Sequence, residues 1–251
     1  DPNQFCGYFI LPMMMYLQKI IEKNKMRVKL LYVTIFLAAI FVVVKTGSRG
    51  GLIAILISVS CYVLVAAKGI KNKLKIIIAV SLVAVIFLFL LLPLFPEGIR
   101  ERLSVHAVVE DRGSGRFDIW TAIWKAIFES DRSIIFGHGI GSTEKILTEQ
   151  GFLNTVAHNH WLQLWCDQGI IGVILFALLI IVGFFRERKQ MLVISIALIG
   201  IVALSMSLTL YANYKVFWNI LIMSAMNYEN EAKQIEGGEV PGESQCNRTG
   251  L

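Results

Sequence analysis

The run Ile76-Ile77-Ile78-Ala79-Val80-Ser81-Leu82-Val83-Ala84-Val85-Ile86-Phe87-Leu88-Phe89-Leu90-Leu91-Leu92 holds a single polar residue, Ser81. It shows no face that water would tolerate. A segment of this kind needs either lipid or a large protein interior around it. The rest of the chain repeats the pattern. Of its 251 residues 56% are hydrophobic and 17% are charged, and the mean hydropathy is +0.65. Soluble domains carry about 25% charged residues. A soluble globular domain, a disordered chain and a disulfide scaffold are therefore excluded, and an all-α, polytopic helical membrane protein is expected.

Working outward, seven apolar segments stand at about 5–18, 28–45, 51–67, 74–93, 161–185, 191–211 and 214–227. A spanning helix needs about 20 residues. The expectation is about seven transmembrane helices, with a long, partly helical extracytoplasmic loop over about 94–160. The organisation expected is a membrane domain over 1–227 and a poorly ordered cytoplasmic tail over 228–251. The chain begins with Asp1 and enters an apolar segment at once, which reads as the C-terminal part of a longer membrane protein.

The net charge of +6 sets orientation rather than a nucleic-acid surface. Twelve of the 24 basic residues fall in the alternate linkers 19–29, 68–75 and 186–189. The positive-inside rule places those linkers in the cytoplasm. The long loop, with seven basic and nine acidic residues, then lies outside. Cys6, Cys61, Cys166 and Cys246 make no CxxC or Cys/His spacing, so neither a disulfide framework nor a zinc site is suggested; no cofactor is expected.

Three polar clusters fall on the outer side. The first is Thr46-Gly47-Ser48-Arg49-Gly50-Gly51, a tight turn in which Ser48 is placed to cap the next helix. Free N–H groups at a helix start and an arginine fork both favour phosphate. The second is Asp111-Arg112-Gly113-Ser114-Gly115-Arg116-Phe117-Asp118-Ile119-Trp120. Phe117, Trp120, Trp124, Ile127 and Phe128 follow at helical spacing, marking an amphipathic helix of about 15 residues that lies on the membrane or covers a cavity. The third is Phe136-Gly137-His138-Gly139-Ile140-Gly141, a turn able to approach a ligand closely, followed by Ala157-His158-Asn159-His160-Trp161. Trp161 and Trp165 fit an interfacial aromatic belt.

Each residue also has a plain structural reading. Arg49 fits an arginine snorkelling to the interface, Arg116 a surface arginine paired with Asp118 or Glu110, and the histidines interfacial side chains bonded to water. Taken together, two arginines and a histidine on one face suit a reaction on a lipid-linked diphosphate.

The ordered set Ser48-Arg49-Gly50-Gly51, Ser114-Gly115-Arg116 with Ile119-Trp120, Phe136-Gly137-His138-Gly139, His158-Asn159 and Gly169-Ile170-Ile171-Gly172 resembles the O-antigen ligase and Wzy-type polysaccharide polymerase superfamily. Asp1-Pro2-Asn3 also resembles a family pattern, and the resemblance covers about residues 1–227. It implies a metal-independent, inverting membrane glycosyltransferase in the bacterial cytoplasmic membrane, its active site facing the periplasm or exterior. The implied donor is an undecaprenyl diphosphate-linked glycan, and the acceptor a glycan or lipid-linked molecule. Membrane lipid and polysaccharide assembly proteins are the remaining partners. By resemblance Arg49 and Arg116 bind the donor diphosphate and His158 activates the acceptor hydroxyl. Ser48, Gly50, Trp120, Asn159 and Asp167 are the supporting, substrate-binding positions, with His138 and His160 secondary. Lysine- and isoleucine-rich composition hints at a bacterium without an outer membrane and favours polymerase over ligase. The rival readings are a lipid-linked oligosaccharide flippase or transporter, and a non-catalytic assembly subunit.

Overall fold

The structure, a computed structural model, describes residues 1–21, 25–66, 69, 71, 74, 93, 95–103, 115–152, 155–186, 192–210 and 214–225. All regular elements among them are helices: α1 (Pro2–Ile21), α2 (Met26–Lys45), α3 (Arg49–Ala66), α4 (Glu97–Leu103), α5 (Arg116–Ile127), α6 (Asp131–Phe136), α7 (Ser142–Glu149), α8 (His160–Arg186), α9 (Leu192–Leu204) and α10 (Lys215–Ala225).

The all-α expectation holds, but the expected number of spans does not. Among the described residues three helices are long and apolar enough to cross a membrane: Met26–Lys45, Arg49–Ala66 and His160–Phe184. The segment read as 191–211 forms a helix of 13 residues, and that read as 214–227 one of 11 residues. At 1.5 Å per residue these reach about 20 and 17 Å, short of a hydrocarbon core of about 30 Å. Helix α1 is 20 residues long, but Asn3 and Gln4 at one end and Gln18 and Lys19 at the other shorten its apolar run, and Pro12 interrupts it. Most of 74–93 and all of the 228–251 tail lie outside the described residues. The three spans support a multi-pass membrane location.

Helix α9 explains why an apolar sequence need not be a span. Nine of its residues, including Ile194, Leu198, Ile201 and Leu204, are buried against other helices. A helix apolar on all sides is buried on all sides, in protein as readily as in lipid. It packs against α1 and α3, and α1 contributes Cys6, Ile10, Met13 and Met14 at helical spacing. A Cβ at Gly200 would stand 2.8 Å from Ile10, so the glycine sets how closely α1 and α9 approach. Helices α2 and α8 instead turn large apolar side chains outward, among them Leu30, Leu31, Leu37, Ile174, Leu175 and Val182. An outer surface of this kind is stable against lipid.

A second core lies around α5, where Ile119, Ile123, Ala126 and Ile127 pack with Leu147, Ala157, Leu162 and Cys166. This helix spans 12 residues rather than about 15. Of the expected stripe Phe117, Trp120, Trp124, Ile127 and Phe128, only Ile127 is buried. Phe117, Trp124 and Phe128 are exposed.

Candidate functional site

The first cluster is built at the start of α3. Ser48 is the cap the sequence predicts: its Oγ accepts from Gly51 N at 2.9 Å and itself donates to Asn3 Oδ1. Asn3 Nδ2 donates to the Ser207 carbonyl at 3.3 Å. Thr46 Oγ1, which donates to Val43 O at 2.6 Å, accepts from Ser48 N at 3.1 Å. Gly50 and Gly51 let three strands of chain meet. A Cβ on Gly50 would lie 2.7 Å from Ser207 Cβ, and one on Gly51 would lie 2.5 Å from Cys6. Arg49 is therefore carried on the rim of a fixed turn, and its Nη1 is buried.

The second cluster begins with Arg116, in the first turn of α5 after Gly115 in a left-handed conformation. Residues 111–114 lie outside the described residues. One turn on, Trp120 Nε1 donates to the Ala157 carbonyl at 2.8 Å. The residue after Ala157 is His158, which has φ of 49° and is the sole non-glycine in the left-handed region among the described residues. For a non-glycine this backbone is disfavoured by about 1–3 kcal/mol and persists where neighbours over-determine it. Here they do. Ala157 O is held by Trp120, and Asn159 is tied to α8 as its cap, its Oδ1 accepting from Trp161 N at 3.0 Å and Leu162 N at 3.2 Å.

His158 is half-buried, and its Nδ1 is enclosed without a hydrogen-bond partner. Burial, and secondarily the nearby Arg116 charge, lower its pKa from the usual 6.5. Both effects favour the neutral imidazole. His160 has another setting. Both its ring nitrogens are enclosed without hydrogen-bond partners, and its ring meets Phe176 edge-on at 4.7 Å.

The turn at 205–207 joins the first cluster to the His158–Trp161 part of the third. Ser205 O accepts from His160 N at 2.9 Å, and Ser205 Oγ accepts from Trp161 Nε1 at 2.8 Å. Two residues later Ser207 receives Asn3 and packs on Gly50. The Arg49 turn and the His158 loop are thereby tied to one end of the bundle.

The glycine turn at 137–141 does its close packing against protein. Helix α8 breaks at Gly169, where φ is 69° and ψ −175°. A break frees carbonyls that apolar surroundings cannot satisfy. His138 N donates to Cys166 O at 2.8 Å and Gly139 N to Asp167 O at 2.9 Å. A Cβ on Gly137 would stand 2.6 Å from the Asp167 backbone, and one on Gly169 would stand 2.5 Å from Phe136 N. At Gly137 the close approach expected toward a ligand is thus made to α8. The buried Asp167 carboxylate caps α7, accepting from Thr143 Oγ1 at 2.6 Å, Thr143 N at 2.8 Å, Ser142 Oγ at 3.1 Å and Gly141 N at 3.2 Å. His138 Nε2 donates to Ala126 O at 2.9 Å. Both side chains hold the loop together.

A family model described as O-antigen ligase matches residues 34–177, more than half of the chain. The chain belongs to the O-antigen ligase family. No curated protein and no solved structure matches it. Membership in the O-antigen ligase family supports a general role in glycan transfer or polymerisation at the membrane. The match takes in Arg49, Arg116, His158 and Asp167. Asn3, Ser205 and Ser207 lie beyond it, yet they complete the support of the site. In the sequence both serines are marked only by polarity after an apolar run. Among the described residues no three His, Cys, Asp or Glu side chains gather as metal ligands.

Proposed function

We propose that the protein transfers or polymerises undecaprenyl diphosphate-linked glycan on the outer face of the membrane. The observation that carries this reading is the proximity of Arg116 to a half-buried His158 in a constrained left-handed backbone. A neutral imidazole near neutral pH is a general base for an attacking hydroxyl. Burial first, and the nearby Arg116 charge second, favour the unprotonated ring, and the guanidinium offers a fork to a diphosphate. Arg49, on the capped turn at the same end of the bundle, is the second diphosphate ligand.

In this mechanism His158 takes the proton of the acceptor hydroxyl. The hydroxyl oxygen attacks the anomeric carbon of the first donor sugar, with inversion. The bond from that carbon to the diphosphate oxygen breaks, and Arg49 and Arg116 stabilise the charge of the leaving undecaprenyl diphosphate. Ser48, Gly50, Asn159, Trp120 and Asp167 position these groups. The acceptor in the favoured reading is a second lipid-linked glycan, making the protein a polymerase rather than a ligase.

The test is a reaction of the purified full-length protein with lipid-linked repeat units. Longer glycans on the same lipid support polymerase, and transfer to a different acceptor alone supports ligase. Full activity in both His158→Ala and Arg49→Ala proteins overturns the site.

A further inference from the structure

Helix α5 has two apolar faces, one buried in the local core and one that stays largely exposed among the described residues. At about 100° per residue, Phe117, Trp124 and Phe128 fall within about 40° of one another. They are 51%, 41% and 55% exposed. The opposite side, with Ile119 and Ile123, is buried in the local core. Asp118 and Lys125 share one strip between the two faces, and Arg116, in the first turn, lies on the other side of the helix. A helix on the surface of a water-soluble domain is polar opposite its core. This one is aromatic there.

The aromatic face reaches α8, a helix long and apolar enough to cross a membrane. Trp124 and Phe128 stack on each other at 5.2 Å, and both meet the Trp165 ring edge-on, at 5.5 and 5.9 Å. Trp165 belongs to α8, which beyond its break at Gly169 exposes Ile171, Ile174 and Leu175. It stands near the start of the apolar stretch His160–Phe184, which is long enough to cross a membrane. Tryptophan rings near the end of a span are favoured at the lipid–water boundary.

We infer that α5 lies in the lipid interface, with Phe117, Trp124 and Phe128 inserted among the acyl chains nearest the headgroups and the Asp118–Lys125 strip in water. This contact anchors the first turn of α5, and with it Arg116, at the depth of the headgroups. The inference rests on the membrane location alone and stands whether or not the protein transfers glycan.

The test uses the full-length protein in vesicles of phosphatidylcholine brominated near the carboxyl end of its chains. Trp124 is one of five tryptophans. Its replacement in Trp124→Phe is expected to lower the fraction of the emission that bromine quenches, and an unchanged fraction overturns the inference. A second measurement avoids any packing effect of that change. Spin labels are placed at Thr121→Cys, on the aromatic side, and Lys125→Cys, on the polar strip, in a Cys61→Ser, Cys246→Ser background. The label at 121 is expected to relax with oxygen and the label at 125 with a water-soluble nickel chelate. A 121 label that is nickel-accessible, or immobilised and reached by neither, overturns the inference in favour of water or of a protein partner.

Discussion

The Trp120 indole donates a hydrogen bond of 2.8 Å to the carbonyl of Ala157, and this one contact couples two distant parts of the chain. Trp120 lies one turn after Arg116, and Ala157 lies one residue before His158. A rotation of α5 that moved Arg116 would therefore pull on the histidine.

Trp120→Phe keeps most of the ring and removes the donor. A neutral hydrogen bond contributes about 0.5–1.5 kcal/mol to stability, so the protein is expected to remain folded. Misplacing a reacting group by about 1 Å costs about 10²-fold in rate. The expected result is a fall in glycan transfer of about 10- to 100-fold, with detergent elution profile and thermal midpoint close to wild type. A larger loss of stability than of activity would make Trp120 a packing residue only.

The pH profile of transfer reports on His158. Its pKa is lowered by burial first and by Arg116 second, from the ordinary 6.5. The free base persists below that value, and activity is expected to fall only as pH drops through the lowered pKa. Arg116→Gln removes one of the two causes, so the acid limb moves up toward 6.5 while the rate falls. The same sign applies to stability: the contribution of the neutral ring is complete above the unfolded pKa and is lost as pH falls through the folded one. An acid limb unmoved in Arg116→Gln argues against the pairing.

His158→Ala is expected to lower transfer by about 10²–10⁴, the usual contribution of a general base. Arg49→Ala is expected to lower it by about 10²–10³, as for loss of one preorganised charge donor. Single-turnover rates with lipid-linked repeat units, at matched protein recovery, separate both from folding defects.

Gly169→Ala places a methyl group against the backbone of Ile135 and Phe136, in a left-handed position. Gly137→Ala does the same against Asp167. Neither backbone can yield, because each is tied by hydrogen bonds between the 137–139 loop and α8. Each substitution is expected to lower stability by more than about 1 kcal/mol, seen as a lower melting midpoint in detergent.

Asp167→Ala removes an acceptor shared by Gly141, Ser142 and Thr143. Hydrogen bonds to charged groups contribute about 1.5–3 kcal/mol each at most, and the abandoned donors are partly buried. A marked loss of thermal stability is expected, milder in Asp167→Asn, which keeps one carbonyl oxygen. Wild-type stability together with loss of transfer would instead put the carboxylate on the substrate.

The membrane class, the capped turn at Ser48 and the span at 160–184 were legible in the residues. Each depends on a local property: an apolar run, a hydroxyl three residues before an N–H, or helical length. The number of spans was not legible. Hydropathy scores the transfer of a segment out of water, and the buried α9 leaves water as fully as a lipid-facing helix does. The face of α5 was equally hidden. Phe117, Trp124 and Phe128 are as apolar as Ile119, Ile123 and Ile127, and composition cannot say which face meets protein.

Composition and charge order were enough for an all-helical membrane chain and for the residue types of its polar end. The gathering of that end came from contacts across the chain. Asn3 meets Ser48 and Ser207, His160 meets Ser205, and Trp120 meets Ala157. Such contacts join residues tens to hundreds of positions apart. They form because buried donors and acceptors at the ends and breaks of helices must find partners once water is excluded. Which partner is within reach depends on how the helices pack, and no local pattern along the chain encodes that.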